Sequence, residues 1–253
     1  MTIQAALQTG RQRLTGRSDA ADLDTEWLLL HVLGQTETSW LFSHDDISLT
    51  PEQHVCFKQL LDERRTGKPL AYILGTTQFY GRDFIVNQHV LVPRPATEDL
   101  VDQALIAIRN SSLDKKRPLT IADIGTGSGC IAITLALEST MIDRVYATDI
   151  SPAALDIARQ NAQRHGTTDR ITFLEGNLLT PVQDKNIDLI VSNPPYIPSA
   201  EVNTKGLHFE PRLALDGGAD GQNFIKQIQA SGILAVVETT GGTITLFSDF
   251  SQA

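Results

Sequence analysis

The sequence is poor in cysteine, in positive charge and in long apolar runs, and each shortage closes off a class of protein. Cys56 and Cys130 stand far apart and form no CxxC pair. That excludes a disulfide scaffold and a cysteine-based metal site, and it fits a reducing cytoplasm. Lysine and arginine number 21 against 30 aspartates and glutamates, a formal net charge of −9. Such a balance is a poor match for naked nucleic acid, whose phosphates call for a basic surface. No stretch reaches the roughly eighteen apolar residues that a membrane helix needs, so neither a span nor a signal peptide is expected. There is no internal repeat and no low-complexity tract. His31, His44 and His54 fit no ligand spacing, and no metal site is expected.

What is present is enough for a real core. Of 253 residues, 41% are hydrophobic, which suits one large domain with a small appendage. Helical spacing of Ile3, Ala6, Leu7 and Leu14, with Thr2 as cap, predicts a first helix. Ser18 or Asp19 is the expected cap of a second, carrying Leu23, Trp27, Leu28, Leu30 and Val32 and closed by Gly34. A short segment follows at Trp40-Leu41-Phe42. Thr50-Pro51-Glu52 starts a helix holding Val55, Leu60 and Leu61 and ending near Gly67. Residues 1–75 therefore read as a small helical bundle. Residues 76–90 read as a linking β-hairpin, with its tight turn at Gly81-Arg82. The remainder, residues 91–253, reads as a second domain.

That second domain opens with an amphipathic helix from Glu98 to Ile108 and a polar surface loop from Ser111 to Pro118. It then alternates strand and helix. Strands are expected at 120–124, 145–149, 171–174 and 187–191, with helices at 130–137 and 152–164. Alternation of this kind implies an α/β, doubly wound, mainly parallel sheet with right-handed crossovers.

Two stretches at strand ends carry chemistry. The first is Gly125-Thr126-Gly127-Ser128-Gly129, between the first strand and its helix. Glycines let the backbone approach a ligand closely, and the helix start offers free N–H groups. Asp149 ends the second strand, where an acid suits the hydroxyls of a ribose. A nicotinamide dinucleotide would use a similar layout, but its pattern is G-x-G-x-x-G. The G-x-G-x-G spacing here favours S-adenosylmethionine.

The second stretch is Asn193-Pro194-Pro195-Tyr196, at the carboxyl end of the fourth strand. The two prolines fix φ and remove two donors, so the loop offers carbonyls. The Asn193 amide oxygen and the Pro194 carbonyl can each accept one N–H of a planar NH2 group, and Tyr196 can stack on it. Holding so poor a nucleophile in line with a methyl donor is a positioning task, worth up to about 7–11 kcal/mol in ideal cases. The tetrapeptide resembles the signature of methyltransferases that act on planar nitrogens, adenine N6 in DNA or glutamine N5 in proteins.

Five motifs sharpen the reading: Ala71-Tyr72-Ile73-Leu74-Gly75 with Phe79-Tyr80-Gly81; Val90 to Pro95; Asp123 to Cys130; Asn193 to Pro198; and Glu210 to Gly218. Together they resemble the release-factor glutamine methyltransferase family. The resemblance implies a Rossmann-like methyltransferase fold and S-adenosyl-L-methionine as cofactor. It implies that Gly125, Thr126, Gly127, Ser128, Gly129, Asp149 and Asn193 bind that cofactor. It also implies that Asn193, Pro194, Pro195 and Tyr196 hold the glutamine amide of a release factor's Gly-Gly-Gln loop. The N-terminal bundle would help to dock that partner. A cytoplasmic monomer is expected.

The chain departs from the family pattern in three places. Ala96 stands where a glutamate is usual. Asn177, followed by Leu178, stands at the position near the cofactor's adenine where the family has an acid and often an aromatic. Residues 241–247 read as strand five, with the family's last helix and two strands lacking. That would leave a strand edge unpaired and the tail from Ser248 to Ala253 unable to cover it. Two alternatives to the glutamine enzyme stay open: a DNA adenine N6-methyltransferase, and a truncated chain that binds without turnover.

Overall fold

The computed structural model describes residues 1–110, 117–202, 207–239 and 242–247. It divides into two compact units, 1–75 and 76–253.

The first unit is built from helices α1 (Ile3–Leu14), α2 (Ala21–Leu33), α3 (Thr38–Ser43), α4 (Pro51–Arg65) and α5 (Leu70–Leu74). Side-chain caps start two of them. Thr2 Oγ accepts from the Ala5 N–H, and Thr50 forms a reciprocal capping box with Gln53. α2 differs from expectation. Its cap position is Ala20, with no side-chain cap, because Ser18 turns inward to donate to Asp24 at 2.5 Å. Arg64 completes that knot by donating to Asp24 at 2.7 Å. Leu28, Leu29 and Leu30 fill the core with Ile3, Leu14 and Phe57, whereas Leu23, Trp27 and Val55 are exposed. α2 is apolar around most of its circumference, so part of it must face water.

The second unit opens with the hairpin β1 (Thr76–Phe79) and β2 (Arg82–Ile85). Its turn is Tyr80-Gly81, one residue earlier than expected, with φ of +52° and +71°. Positive φ at both turn residues matches the right-handed twist of the flanking strands. Phe79 and Phe84 enter the core of this unit, so the hairpin is part of it and not a linker outside it.

Helix α6 (Ala96–Asn110) leads into a sheet of six strands: β3 (Leu119–Ile124), β4 (Ile142–Asp149), β5 (Ile171–Glu175), β6 (Leu189–Ser192), β7 (Ala235–Thr239) and β8 (Thr243–Phe247). Their order is β5-β4-β3-β6-β7-β8, with only β8 antiparallel. Helices α7 (Cys130–Glu138), α8 (Pro152–Arg164) and α9 (Asn223–Gln229) fill the crossovers. Strand residues alternate between two layers. Ile121, Val191 and Val236 join the core with α6 and α7, while Ala122, Ile190 and Val237 join the core with α9.

The end of the sheet corrects the sequence reading. Strand five is β7, built from Ala235-Val236-Val237, and residues 243–247 form the sixth strand. The link 240–242 is too short for a parallel crossover, so β8 must run antiparallel. The outer edge of β7 is therefore paired along its length. The segments 111–116, 240–241 and 248–253 lie outside the described residues, including most of the expected surface loop, Gly241 and the tail.

Candidate active site

The sheet order reverses between β3 and β6, and the crevice at a reversal is where open α/β sheets take ligands. Here the Ser192 hydroxyl donates to the Ile124 carbonyl at 2.6 Å, locking the two strand ends together.

From β3 the chain enters the glycine loop. The N–H groups of Gly125 and Thr126 both donate to the Thr148 carbonyl, at 2.9 and 2.8 Å. Gly125 and Gly127 have positive φ and open space where a Cβ would stand. Gly129 is different: a Cβ there would come 3.1 Å from Ala158, so this glycine serves the approach of α7 to α8. Asn161 of α8 ties the neighbourhood together. It accepts from the Ile85 N–H at 2.7 Å and donates to the carbonyls of Ile85 and Ser128 at 3.0 and 2.9 Å. In sequence it is one polar residue in an amphipathic helix, and nothing singles it out.

Two acids face this loop. Asp149 accepts from the Gly127 N–H and the Ser151 N–H, both at 2.9 Å. Burial raises its pKa against those bonds. Asp123 is fully buried, and its Oδ2 accepts from Thr126 Oγ1 at 2.6 Å and the Ala132 N–H at 3.1 Å. Among the described residues its Oδ1 has no partner. Burial pushes its pKa up to about 7. Burial likewise pushes the Cys130 thiol up to about 12, so this cysteine stays protonated and is no nucleophile.

The other half of the crevice is built on Asn193. Its Nδ2 donates to Thr97 Oγ1 at 3.0 Å, and Thr97 Oγ1 donates to Glu238 Oε2 at 2.9 Å. Tyr196 donates its hydroxyl to Glu238 Oε1 at 3.3 Å. Burial raises the pKa of Glu238, and burial together with Glu238 lifts Tyr196 to about 12.

A later segment cradles the tetrapeptide. Glu210 is buried, pairs with Arg94 and accepts from the Val92 N–H at 3.3 Å. The Ile197 N–H donates to the Leu215 carbonyl at 3.0 Å, and the Gly217 N–H donates to the Ile197 carbonyl at 2.8 Å. Asp216 Oδ1 accepts from the Ser199 hydroxyl at 2.5 Å and from the Gly218 N–H at 3.1 Å. The motifs at 90–95, 193–198 and 210–218 thus meet at one place.

One cavity runs between the two halves. Of the sequence-predicted residues, Gly125, Thr126, Gly127, Ser128, Asp149, Asn177, Leu178, Asn193 and Pro195 line it. Thr97, Arg94, Leu213 and Phe224 also line it; Arg94 and Leu213 lie in the motifs at 90–95 and 210–218, whereas nothing in the sequence pointed to a site role for Thr97 or Phe224. Leu178 holds a positive φ of +47°, uncommon for a side-chain-bearing residue, and its carbonyl accepts from Thr148 Oγ1 at 3.3 Å. Gly129, Pro194 and Tyr196 do not line the cavity. The stacking expected of Tyr196 is corrected: its ring packs against the core beneath α9, and its hydroxyl serves Glu238.

The sequence matches two family models, the PrmC N-terminal domain over residues 5–75 and the methyltransferase small domain over residues 98–208. A release factor glutamine methyltransferase of Geobacter sulfurreducens is 41% identical over 231 residues, covering 90% of this chain and 78% of the relative. One from Xylella fastidiosa strain Temecula1 is 42% identical over 232 residues, covering 91% and 81%. The chain belongs to the release factor glutamine methyltransferase family. Among solved structures, the hMettl16 catalytic domain bound to a 3'UTR hairpin matches with a TM-score of 0.50 at 16% identity, covering 63% of this chain and 62% of that one. At that identity the likeness establishes the shared fold. In this family setting the motif positions at 90–95, 123–130, 193–198 and 210–218 gather at the sheet reversal, and the departures at Ala96, Asn177 and Leu178 fall in or beside the same crevice.

Proposed function

We propose that the chain transfers a methyl group from S-adenosylmethionine to the side-chain amide nitrogen of the glutamine in the Gly-Gly-Gln loop of release factors. The observation that carries this reading is the Asn193 side chain, held by Thr97 at the carboxyl end of β6 and facing the cavity that the glycine loop also lines.

The residues fit the cofactor. Gly125 and Gly127 leave room for a close ligand, and Asp149, which lines the cavity, has lone pairs left for two hydroxyls. Asn177 offers an amide where an adenine edge would lie. When bound, S-adenosylmethionine supplies an electrophilic methyl group carried on a sulfonium.

The chain's own residues do the rest. The Asn193 amide oxygen, which faces the cavity, accepts one N–H of the glutamine amide; the Pro194 carbonyl is assigned the other from the motif alone, since Pro194 does not line that cavity. Those bonds strengthen as the nitrogen becomes pyramidal and positive, so they act mostly in the transition state. Pro195 and the apolar Leu213 and Phe224 narrow the crevice and keep water from the nitrogen. No general base is required to start the transfer: the new N–C bond forms as the sulfonium C–S bond breaks, the methylated nitrogen then releases its extra proton to solvent as the product leaves, and Cys130 takes no part.

Support for a protein acceptor comes from the relatives' shared name and the net charge of −9, which disfavours a nucleic acid partner. Residues 1–75 help to dock the release factor. On this reading the enzyme works in the cytoplasm as a single copy. Transfer of labelled methyl to a release factor tests the reading. Label is expected on the wild-type factor and not on a glutamine-to-alanine control, and label on both would overturn it.

A further inference from the structure

An asparagine amide can present either its oxygen or its NH2 to a neighbour, and the two look alike in shape. For Asn193 the difference decides everything, because a glutamine NH2 needs acceptors. An Nδ2 turned toward it would set donors against donors.

The chain of hydrogen bonds behind Asn193 resolves this choice. It ends on Glu238, which stands on the same sheet face as Val236, the face that packs beneath α6. A carboxylate has no hydrogen to give. Both hydroxyls that reach it, Thr97 at 2.9 Å and Tyr196 at 3.3 Å, must therefore donate. Thr97 has a single hydroxyl hydrogen, and Glu238 takes it. Its Oγ1 can then only accept from Asn193 at 3.0 Å, so the group of Asn193 that meets Thr97 is the NH2. The Oδ1 is left for the cavity. Burial raises the pKa of Glu238, while the hydroxyls of Thr97 and Tyr196 and the charge of Arg94 favour its ionised, accepting form.

We propose that Thr97 and Glu238 are positioning residues that fix the polarity of the Asn193 amide, so that its oxygen faces the methyl acceptor. This rests on the reading of Asn193 as the partner of the glutamine NH2. Neither residue touches the reacting atoms. They act by removing the flipped amide from the ensemble, which raises the population of the productive site without altering cofactor contacts.

The test compares Thr97→Val, Thr97→Ser, Glu238→Met and the double variant Thr97→Val/Glu238→Met in the full chain. Thr97→Val should lower kcat for release-factor methylation at least about tenfold, with KM and the cofactor Kd within about twofold. Thr97→Ser keeps the hydroxyl and should stay within about threefold of wild type. The double variant should be no slower than Thr97→Val, because one relay is broken either way. The side-chain NH2 signals of 15N-labelled Asn193 give a reading independent of activity. They should move in Thr97→Val and Glu238→Met and stay put in Thr97→Ser. Wild-type kcat in Thr97→Val, multiplying losses in the double variant, or unmoved Asn193 signals would overturn the proposal. A wild-type chain that methylates no release factor would instead sink the functional reading, and the Asn193 signals would still decide the relay.

Discussion

Gly217 packs so tightly against the backbone of the tetrapeptide that a Cβ on it would lie 2.6 Å from the Pro195 carbonyl oxygen. The next nearest atoms, Tyr196 Cα at 2.8 Å and the Gly221 carbonyl oxygen at 2.9 Å, are backbone too. No flexible side chain can yield, so Gly217→Ala must shift the loop that carries Asn193. A displacement of that kind costs about a hundredfold where geometry is the catalyst. The expected result is a fall of about that size in kcat, with the cofactor Kd within about twofold because the glycine loop and Asp149 sit on other elements. Steady-state kinetics beside calorimetry would show it.

Asn161 makes three hydrogen bonds to backbone that no other side chain could replace at once. Asn161→Leu should destabilise the chain by about 3 kcal/mol, since it leaves the Ile85 N–H without its partner. A denaturant melt measures this. An unchanged midpoint would mean that the hairpin finds other partners.

Asp149→Ala removes both the acceptor expected for ribose hydroxyls and the anchor of the Gly127 N–H. Loss of hydrogen bonds to a charged group predicts cofactor binding weaker by about ten- to a hundredfold. Calorimetry reads it directly, and a Kd equal to wild type would remove Asp149 from the cofactor site.

Burial pushes Asp123 up to about 7 from the ordinary 3.8. Between those values the folded chain holds a proton that the unfolded chain has released. Lowering the pH through that window therefore favours the folded state at this residue. Asp123→Asn has no such proton. The melting temperature of wild type relative to Asp123→Asn should rise from about pH 8 to about pH 5, and a flat difference would show that Asp123 does not titrate there.

What the sequence revealed followed distance along the chain. Caps at Thr2 and Thr50, the strand ends at Asp123 and Asn193, and the positive-φ glycines are local signals, and each is written within a few residues. β7 was misplaced because Ala235-Val236-Val237 and the stretch from Thr243 to Phe247 are both rich in β-formers. Only the short link 240–242 decides which can follow β6 in parallel. Leu23 and Trp27 misled because α2 offers more apolar positions than one core face can take. Thr97 and Glu238 were invisible for a different reason: they lie on different elements far apart in sequence, and only the layer order of α6 over β7 joins them.

The placement of Glu238 on β7 also bears on the order of assembly. A chain grows from its amino end, but a domain folds as a unit. The glycine loop, its two acids and the tetrapeptide all leave the ribosome before β7 does, yet β6 has no neighbour on that side until β7 arrives. Competence for transfer therefore waits on a strand that supplies no residue of the cavity lining.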